Sequence, residues 1–165
     1  MNPVRTHIPL LARHEGIWEG RYRHIDPDGR EQETCLFRIA VEFPEQGAAY
    51  RQTSHYWWPD GRTDQLIFEA QYGDGRLHWD SERIRGSLWA LDDMSLYLRF
   101  AFTEDPGAEV CEMIQLSADG KHRARTWHWF RGGRLWRITL VSEQRVSLQP
   151  ADLRKLTAVP VLANS

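Results

Sequence analysis

The sequence predicts an all-β fold: about ten antiparallel strands, each joined to the next by a short turn, closed into an up-and-down barrel. Turn-forming residues recur at short intervals, from DPDG at 26–29 to GG at 132–133. Between the turns, aromatic and β-branched residues alternate with polar ones, which is the period of a half-buried strand. An open sheet of this size would leave two unpaired edges, so we expect it to close on itself.

The turns set the strand boundaries. The strands are expected at 17–25, 30–43, 48–58, 62–72, 76–82, 84–91, 94–103, 109–117, 121–131 and 134–147. A short helix is expected in the N-terminal segment, after Pro9, and Pro150 with Asp152 predicts another over 150–156. We expect one domain over 1–165, with the barrel at about 16–148, because a chain of this length suits one core.

Composition excludes several classes of protein. With 41% apolar and 12% aromatic residues the chain is too hydrophobic to be disordered, and 21 basic against 23 acidic residues give no drive toward nucleic acid. No apolar run approaches the ~20 residues of a membrane span, and the N-terminal apolar stretch, interrupted by Pro9, does not fit a signal peptide. We therefore expect a cytoplasmic protein.

The cysteines and histidines argue against a metal. Cys35 and Cys111 lie far apart, which indicates neither a disulfide framework nor a zinc site. The seven histidines show no H-x-H or H-x-x-x-H spacing, so no metal and no other cofactor is expected.

Counting residues across the turns predicts which side chains face inward, because alternate residues of a strand share a face. The first four predicted inward sets are these: Trp18, Gly20, Tyr22 and His24 on the first strand; Cys35, Phe37, Ile39, Val41 and Phe43 on the second; Leu66, Phe68, Ala70 and Tyr72 with Leu77 and Trp79; and Trp89 and Leu91 with Met94, Leu96, Leu98 and Phe100 across an Asp92-Asp93 turn.

The last three strands carry the predicted chemistry. Two-residue turns at 119–120 and 132–133 place Glu112 opposite Trp127 and Arg125 opposite Ile114 on the inner face. The same count turns Trp129, Trp136, Ile138 and Leu140 inward, and Arg137 and Thr139 outward. A carboxylate and a guanidinium on an apolar, Trp-lined wall must be paired with each other or serve a ligand.

Several motifs resemble those of the calycin superfamily, which includes lipocalins and fatty-acid-binding proteins. The chain opens its first strand with GIWEGRY at 16–22, and is similar to uncharacterised bacterial lipocalin-like proteins with a later E-x-x-x-L at 112–116 and R-x-R-x-W at 123–127. The resemblance covers about 10–148 and implies that Trp18 plugs one end of the barrel with Arg145 packed across it. The chain lacks the glycine-rich start of the haem-binding nitrobindins, which argues against haem.

Two functions of different classes follow as expectations. The first is binding of a small apolar, aromatic or acyl molecule in the barrel. The expected ligand contacts are Tyr22, Phe37, Phe68, Tyr72, Trp79, Trp89, Phe100, Glu112, Arg125, Trp127 and Trp129. The second is a cofactor-free lyase, isomerase or decarboxylase acting on an aromatic acid, with Glu112, Arg125, Tyr22 and His24 as its catalytic residues.

Structural alternatives stay open at this point. The Glu112 and Arg125 pair can be a salt bridge that joins two strands, and the tryptophans can be ordinary core. A third hypothesis is an oligomeric assembly protein with no cavity, and a homodimer also stays open.

Overall fold

The computed structural model describes residues 1–105 and 107–162. Ten antiparallel strands form one closed ring in chain order, and the last pairs with the first. The strands are β1 Gly16–Ile25, β2 Glu31–Glu42, β3 Tyr50–Trp57, β4 Thr63–Gly73, β5 Arg76–Asp80, β6 Ile84–Ala90, β7 Ser95–Phe102, β8 Ala108–Leu116, β9 His122–Arg131 and β10 Arg134–Ser147. The prediction of a ten-stranded up-and-down barrel is confirmed, and the fold is lipocalin-like, of the calycin type.

Short helices flank the barrel at both ends of the chain. They are α1 Pro3–His7, α2 Pro9–Ala12 and a 3-10 helix at Pro150–Lys155. Asn2 fixes the first of them: its side chain accepts from Val4 N at 2.9 Å and donates to the carbonyls of Pro44 and Ala49. Among the described residues no helix has the length and apolar character to cross a membrane.

One end of the barrel is closed by this N-terminal segment and by Trp18. The indole of Trp18 is fully buried and donates to the His14 carbonyl at 2.9 Å. The guanidinium groups of Arg123 and Arg145 lie 4.5 and 4.6 Å from its ring centre. The other end, where β1 stops and β10 begins, stays open and is the mouth of the barrel.

The first hairpin has the predicted faces with a different register. The structure pairs Trp18 with Ile39 and Tyr22 with Cys35. The turn is one residue shorter than predicted, since Asp26 N donates to Arg30 O, and a bulge at His24 and Ile25 shifts the register by one more residue. The predicted 26–29 turn, which pairs Ile25 with Arg30, would give pairings two residues away from these. An even shift leaves every side chain on the same face.

The turn between β6 and β7 corrects one prediction. It has three residues, not two, since Leu91 N donates to Ser95 O. The Asp92 carboxylate accepts from the backbone amides of Met94 and Ser95. Trp89 therefore pairs with Tyr97 on the outer face, where Arg76 lies 4.2 Å from its ring. The predicted inward stripe of Trp89 and Leu91 is wrong.

A bulge at Trp136 corrects the last strand. Leu135 pairs with Phe130 but Arg137 with Trp129, so one extra residue reverses the facing of the rest of β10. Arg137, Thr139, Val141 and Glu143 turn inward, and the inward prediction for Ile138 and Leu140 is wrong.

Candidate functional site

The barrel interior keeps two adjoining cavities. The floor cavity, of about 90 Å³, lies above the N-terminal plug, and the mouth cavity, of about 240 Å³, opens at the other end. Together they reach the lower end of the roughly 300–1,000 Å³ of small-molecule sites. Six side chains line both cavities: Tyr22, Tyr56, Phe68, Ile84, Phe100 and Trp127.

Arg125 lies at the floor and is almost fully committed to protein acceptors. Its Nη1 donates to Glu112 at 3.0 Å and its Nη2 to the Tyr22 hydroxyl at 2.7 Å. Its Nε and Nη2 both donate to Glu143, each at 3.1 Å. These bonds use four of the five guanidinium N–H groups, so Arg125 joins β1, β8, β9 and β10.

A second arginine completes a buried charge network of Glu112, Arg123, Arg125 and Glu143. Arg123 makes a bidentate contact with Glu143, from Nε and from Nη2, the latter at 2.8 Å. All four side chains are buried, at 2–7% exposure. Two arginines and two glutamates balance when both acids are ionised, which is the condition under which buried charges are tolerated.

The two acids of the network differ in pKa. Burial tends to raise the pKa of Glu143, but Arg123 and Arg125 offset this and hold it below its ordinary value. Burial raises the pKa of Glu112, and its single guanidinium partner only partly opposes the shift. Glu112 Oε1 accepts from Arg125, Oε2 takes no hydrogen bond of normal geometry within the described residues, and the neighbouring indole N–H of Trp127 lowers the pKa of the carboxyl. Glu112 is therefore the acid with acceptor capacity left for a ligand.

Tyr22 offers a donor beside this acid. Its hydroxyl oxygen accepts from Arg125, its hydroxyl group neighbours that of Tyr56, and its ring lines both cavities. Burial raises its pKa well above the ordinary value, even though Arg125 opposes the shift. Tyr22 thus stays protonated and can donate to a ligand oxygen.

Gly20 makes room for the network. It pairs with Phe37 on one side and with Glu143 on the other. A Cβ at this position would lie 2.7 Å from Phe37 Cζ and 2.9 Å from Glu143 Cγ, and would strike the Ser142 carbonyl. The glycine of the G-x-W-x-G start therefore has a packing reason here.

His14 closes the floor in one tautomer. Its Nδ1 lies 3.4 Å from Arg123 Nη1, a group that can only donate, so Nδ1 accepts and Nε2 carries the hydrogen. Burial, followed by Arg123 and Arg145, holds its pKa well below the ordinary value. The ring is therefore neutral, and its Nε2 is buried with no partner among the described residues.

The inner face of β3 adds a polar row that the sequence analysis missed. The Tyr50 hydroxyl donates to Gln52 Oε1 at 2.7 Å, and Gln52 Nε2 donates to Ser54 Oγ at 2.8 Å. Apolar residues of β6 and β7 line the same cavity, and its polar groups include this row, His14 and the buried charge network.

At the mouth, Thr139 joins His24 to Trp129. The indole N–H of Trp129 donates to Thr139 Oγ1 at 2.8 Å, and that oxygen lies 2.7 Å from His24 Nδ1. Burial, followed by the nearby Arg137, lowers the pKa of His24 to about 4. Cys35 lines the same cavity, and burial raises the pKa of its thiol to about 12. Both groups are neutral near pH 7.

Most predicted contact residues meet at these cavities. The residues that line one or both of them are Tyr22, His24, Phe68, Trp79, Phe100, Glu112, Arg125, Trp127 and Trp129. Three others do not line them. Phe37 packs beneath Tyr22, with 4.4 Å between ring centres; Tyr72 stacks on His7 at the closed end; and Trp89 lies outside.

Sequence reasoning also missed Glu143, His14 and Thr139 as site residues. The alternation in β10 places Glu143 and Thr139 inside only when the bulge at Trp136 is known, and no turn residue marks that bulge. His14 precedes the first strand, where alternation gives no information. The even spacing of Tyr50, Gln52, Ser54 and Tyr56 was the available signal for the polar row.

Comparisons with known proteins show the fold and leave the chemistry open. No family model matches the chain, and no curated protein matches its sequence. Solved structures with a similar fold include the following three. The S-type phycobiliprotein lyase CpeS of Guillardia theta has 15% identity and a TM-score of 0.67, over 84% of this chain and 91% of that one.

The other two have similar scores. A protein of unknown function from the DUF3598 family of Nostoc punctiforme has 18% identity and a TM-score of 0.64 over 82% of this chain, which spans about half, 49%, of that protein. The Rv2717c protein of M. tuberculosis has 14% identity and a TM-score of 0.61, over 84% of this chain and 96% of that one. At these identities the likeness is one of fold.

Proposed function

We propose that this protein binds a small, mostly apolar molecule with an aromatic or acyl body inside the barrel. The observation that carries the proposal is the pair of adjoining cavities between the mouth and the buried charge network, walled largely by aromatic side chains. An interior built only for stability packs to high density, whereas this one leaves room next to polar groups with free hydrogen-bonding capacity.

The geometry also assigns polar roles at the floor. Arg125 is held by Glu112, Glu143 and Tyr22, so it acts as a positioning residue. Glu112 Oε2 can accept and the Tyr22 hydroxyl can donate. The site thus suits a ligand that ends in a hydroxyl, amide or carbonyl group at its inner end.

A filling substitution tests the binding. N-phenyl-1-naphthylamine, an uncharged aromatic probe, should bind the wild-type protein and fluoresce more strongly in the apolar cavity. Ile84 lies in the wall shared by both cavities, so Ile84→Trp would fill space inside them and should abolish that signal. Ile67 points outward and is 59% exposed, so Ile67→Trp should leave the signal unchanged. Equal binding by both variants would place the probe outside the barrel and overturn the proposal.

A second candidate function is favoured by Glu112. A buried carboxyl with a raised pKa, next to a protonated Tyr22 on a cavity wall, is suited to proton transfer. A lyase, isomerase or decarboxylase acting on an aromatic acid would use it. Turnover of a phenolic acid collection by the wild type, lost in Glu112→Gln while N-phenyl-1-naphthylamine still binds, would support catalysis. No turnover by the folded wild type would reject it for that collection.

A further inference from the structure

The mouth carries two guanidinium groups without an acidic partner. Arg83 lines the mouth cavity, with its guanidinium carbon 5.9 Å from the ring centre of Phe68. Arg137 lies beside His24 and packs on Trp136 at 4.6 Å. Neither forms an ion pair within residues 1–105 and 107–162. The nearby Arg62 and Arg131, in contrast, are paired with acids at 2.7–3.4 Å.

Both side chains start from ordered backbone. The Ser81 hydroxyl accepts from the amides of Arg83 and Ile84, and the Arg83 carbonyl accepts from Thr103 N at 3.1 Å. Arg137 is turned inward by the Trp136 bulge. Its Nε is buried and has no hydrogen-bond partner in the described part of the chain. The backbone of both residues is therefore fixed near the opening, and no described residue accepts a hydrogen bond from either guanidinium group.

The two ends of the cavity differ in charge. At the floor, the buried charge network is balanced, with two arginines against two acids. The mouth cavity is lined by the unpaired Arg83 and by one acid, Asp64, and Arg137 lies 5.9 Å from the ring centre of Trp129, which lines the same cavity. An acid group on a ligand therefore meets no unpaired cation of the network at the floor and is attracted to the mouth.

We propose that the natural ligand is an organic anion that binds with its carboxylate or sulfonate at the mouth, beside Arg83 and Arg137, and with its apolar body toward the floor. This inference rests on the proposed function and adds the ligand's charge and orientation. Asp64 opposes the same interaction and limits its strength.

A matched pair of probes tests the charge. 8-Anilinonaphthalene-1-sulfonate has the rings of N-phenyl-1-naphthylamine plus one sulfonate, so the ratio of their affinities isolates the anionic group. In the double variant Arg83→Gln, Arg137→Gln, affinity for the sulfonate should fall about tenfold. Loss of one charge-assisted hydrogen bond weakens binding by about this factor. Affinity for the uncharged probe should stay the same.

Two further variants sharpen the test. Asp64→Asn removes the opposing charge and should raise sulfonate affinity with no change for the uncharged probe. Arg154→Gln, on an exposed side chain of the 3-10 helix that follows the closed-end terminus of β10, removes the same charge far from the mouth cavity and should change neither affinity. Circular dichroism and thermal melting confirm that each variant is folded.

The outcomes separate the two proposals. Suppose that the uncharged probe binds the barrel. If the double variant does not weaken sulfonate binding, or if Arg154→Gln weakens it equally, the anion site is wrong and the apolar site stands. If Ile84→Trp binds both probes as tightly as the wild type does, the proposed function itself fails.

Discussion

Glu143 contacts both arginines of the buried charge network, so removing its charge leaves two buried cations with one acid. We expect Glu143→Gln to lower the free energy of unfolding by about 3–5 kcal/mol, the usual effect of breaking a buried ion pair. Urea denaturation followed by circular dichroism measures this.

The matched control is Glu109→Gln. It breaks the exposed pair with Arg99 at 2.9 Å and should change stability by less than about 1 kcal/mol. Equal effects of the two substitutions would contradict the special role assigned to Glu143.

His14 gives a pH dependence of known sign. Its pKa in the folded barrel lies well below the ordinary value because of burial, Arg123 and Arg145. Below about pH 6.5 the unfolded chain takes up a proton here and the folded chain does not, so stability falls as pH falls, by up to about 1.4 kcal/mol per pH unit.

The variant His14→Gln keeps a neutral polar group and should show a shallower decline. Denaturation midpoints at about pH 7, 6 and 5 compare the two proteins across the interval below the unfolded histidine pKa. His24, whose folded pKa is about 4, contributes a similar decline in both and cancels in the difference. Identical slopes would show that His14 is protonated in the folded state or exposed there.

At the scale of elements, β1 and β10 meet at a glycine. Gly20→Ala adds a methyl group where Phe37, Glu143 and a backbone carbonyl already lie. We expect this variant to lose about 1–3 kcal/mol of stability through overpacking. The control is Gly73→Ala, on β4, where the added atom would meet only His78, at 3.6 Å, and the stability should hardly change. Thermal melting of both variants measures the difference. If Gly20→Ala does not change the stability, β1 and β10 can move apart without loss of free energy.

The elements were largely predictable from the sequence because turns and alternation are local signals. The Asp74-Gly75 turn pairs Tyr72 with Leu77 as predicted, since both turn residues adopt positive φ and close the hairpin in two residues. The Asp92 turn and the Trp136 bulge were not predictable in the same way. Each inserts one residue through backbone hydrogen bonding that many sequences allow, and each insertion reverses a face.

The candidate site was predictable where alternation held. Glu112, Arg125 and Trp127 lie opposite the partners that the sequence predicts, because the β8–β9 turn, although it closes at Ser117 and His122, is centred where the sequence places it. What the sequence could not supply is the number of acceptors around Arg125. One of them, Tyr22, comes from a strand distant in the chain, and another, Glu143, faces inward only because of the bulge in β10.

For the whole molecule, binding and folding are linked. A probe that binds only the folded barrel stabilises it, by about 2.7 kcal/mol at 100 times its dissociation constant. N-phenyl-1-naphthylamine should therefore raise the melting temperature of the wild type and leave that of Ile84→Trp unchanged. Stabilisation of both would indicate binding at the outer surface.

The closed ring of strands has a consequence for self-association. A sheet without free edges offers no template on which another chain can add a strand, so fibril growth by this route must begin with a break in the ring. At the junction of the first and last strands, Tyr22, Arg125 and Glu143 clasp both sides from within. Because the buried charge network holds the first and last strands together, it also opposes fibril growth by this route.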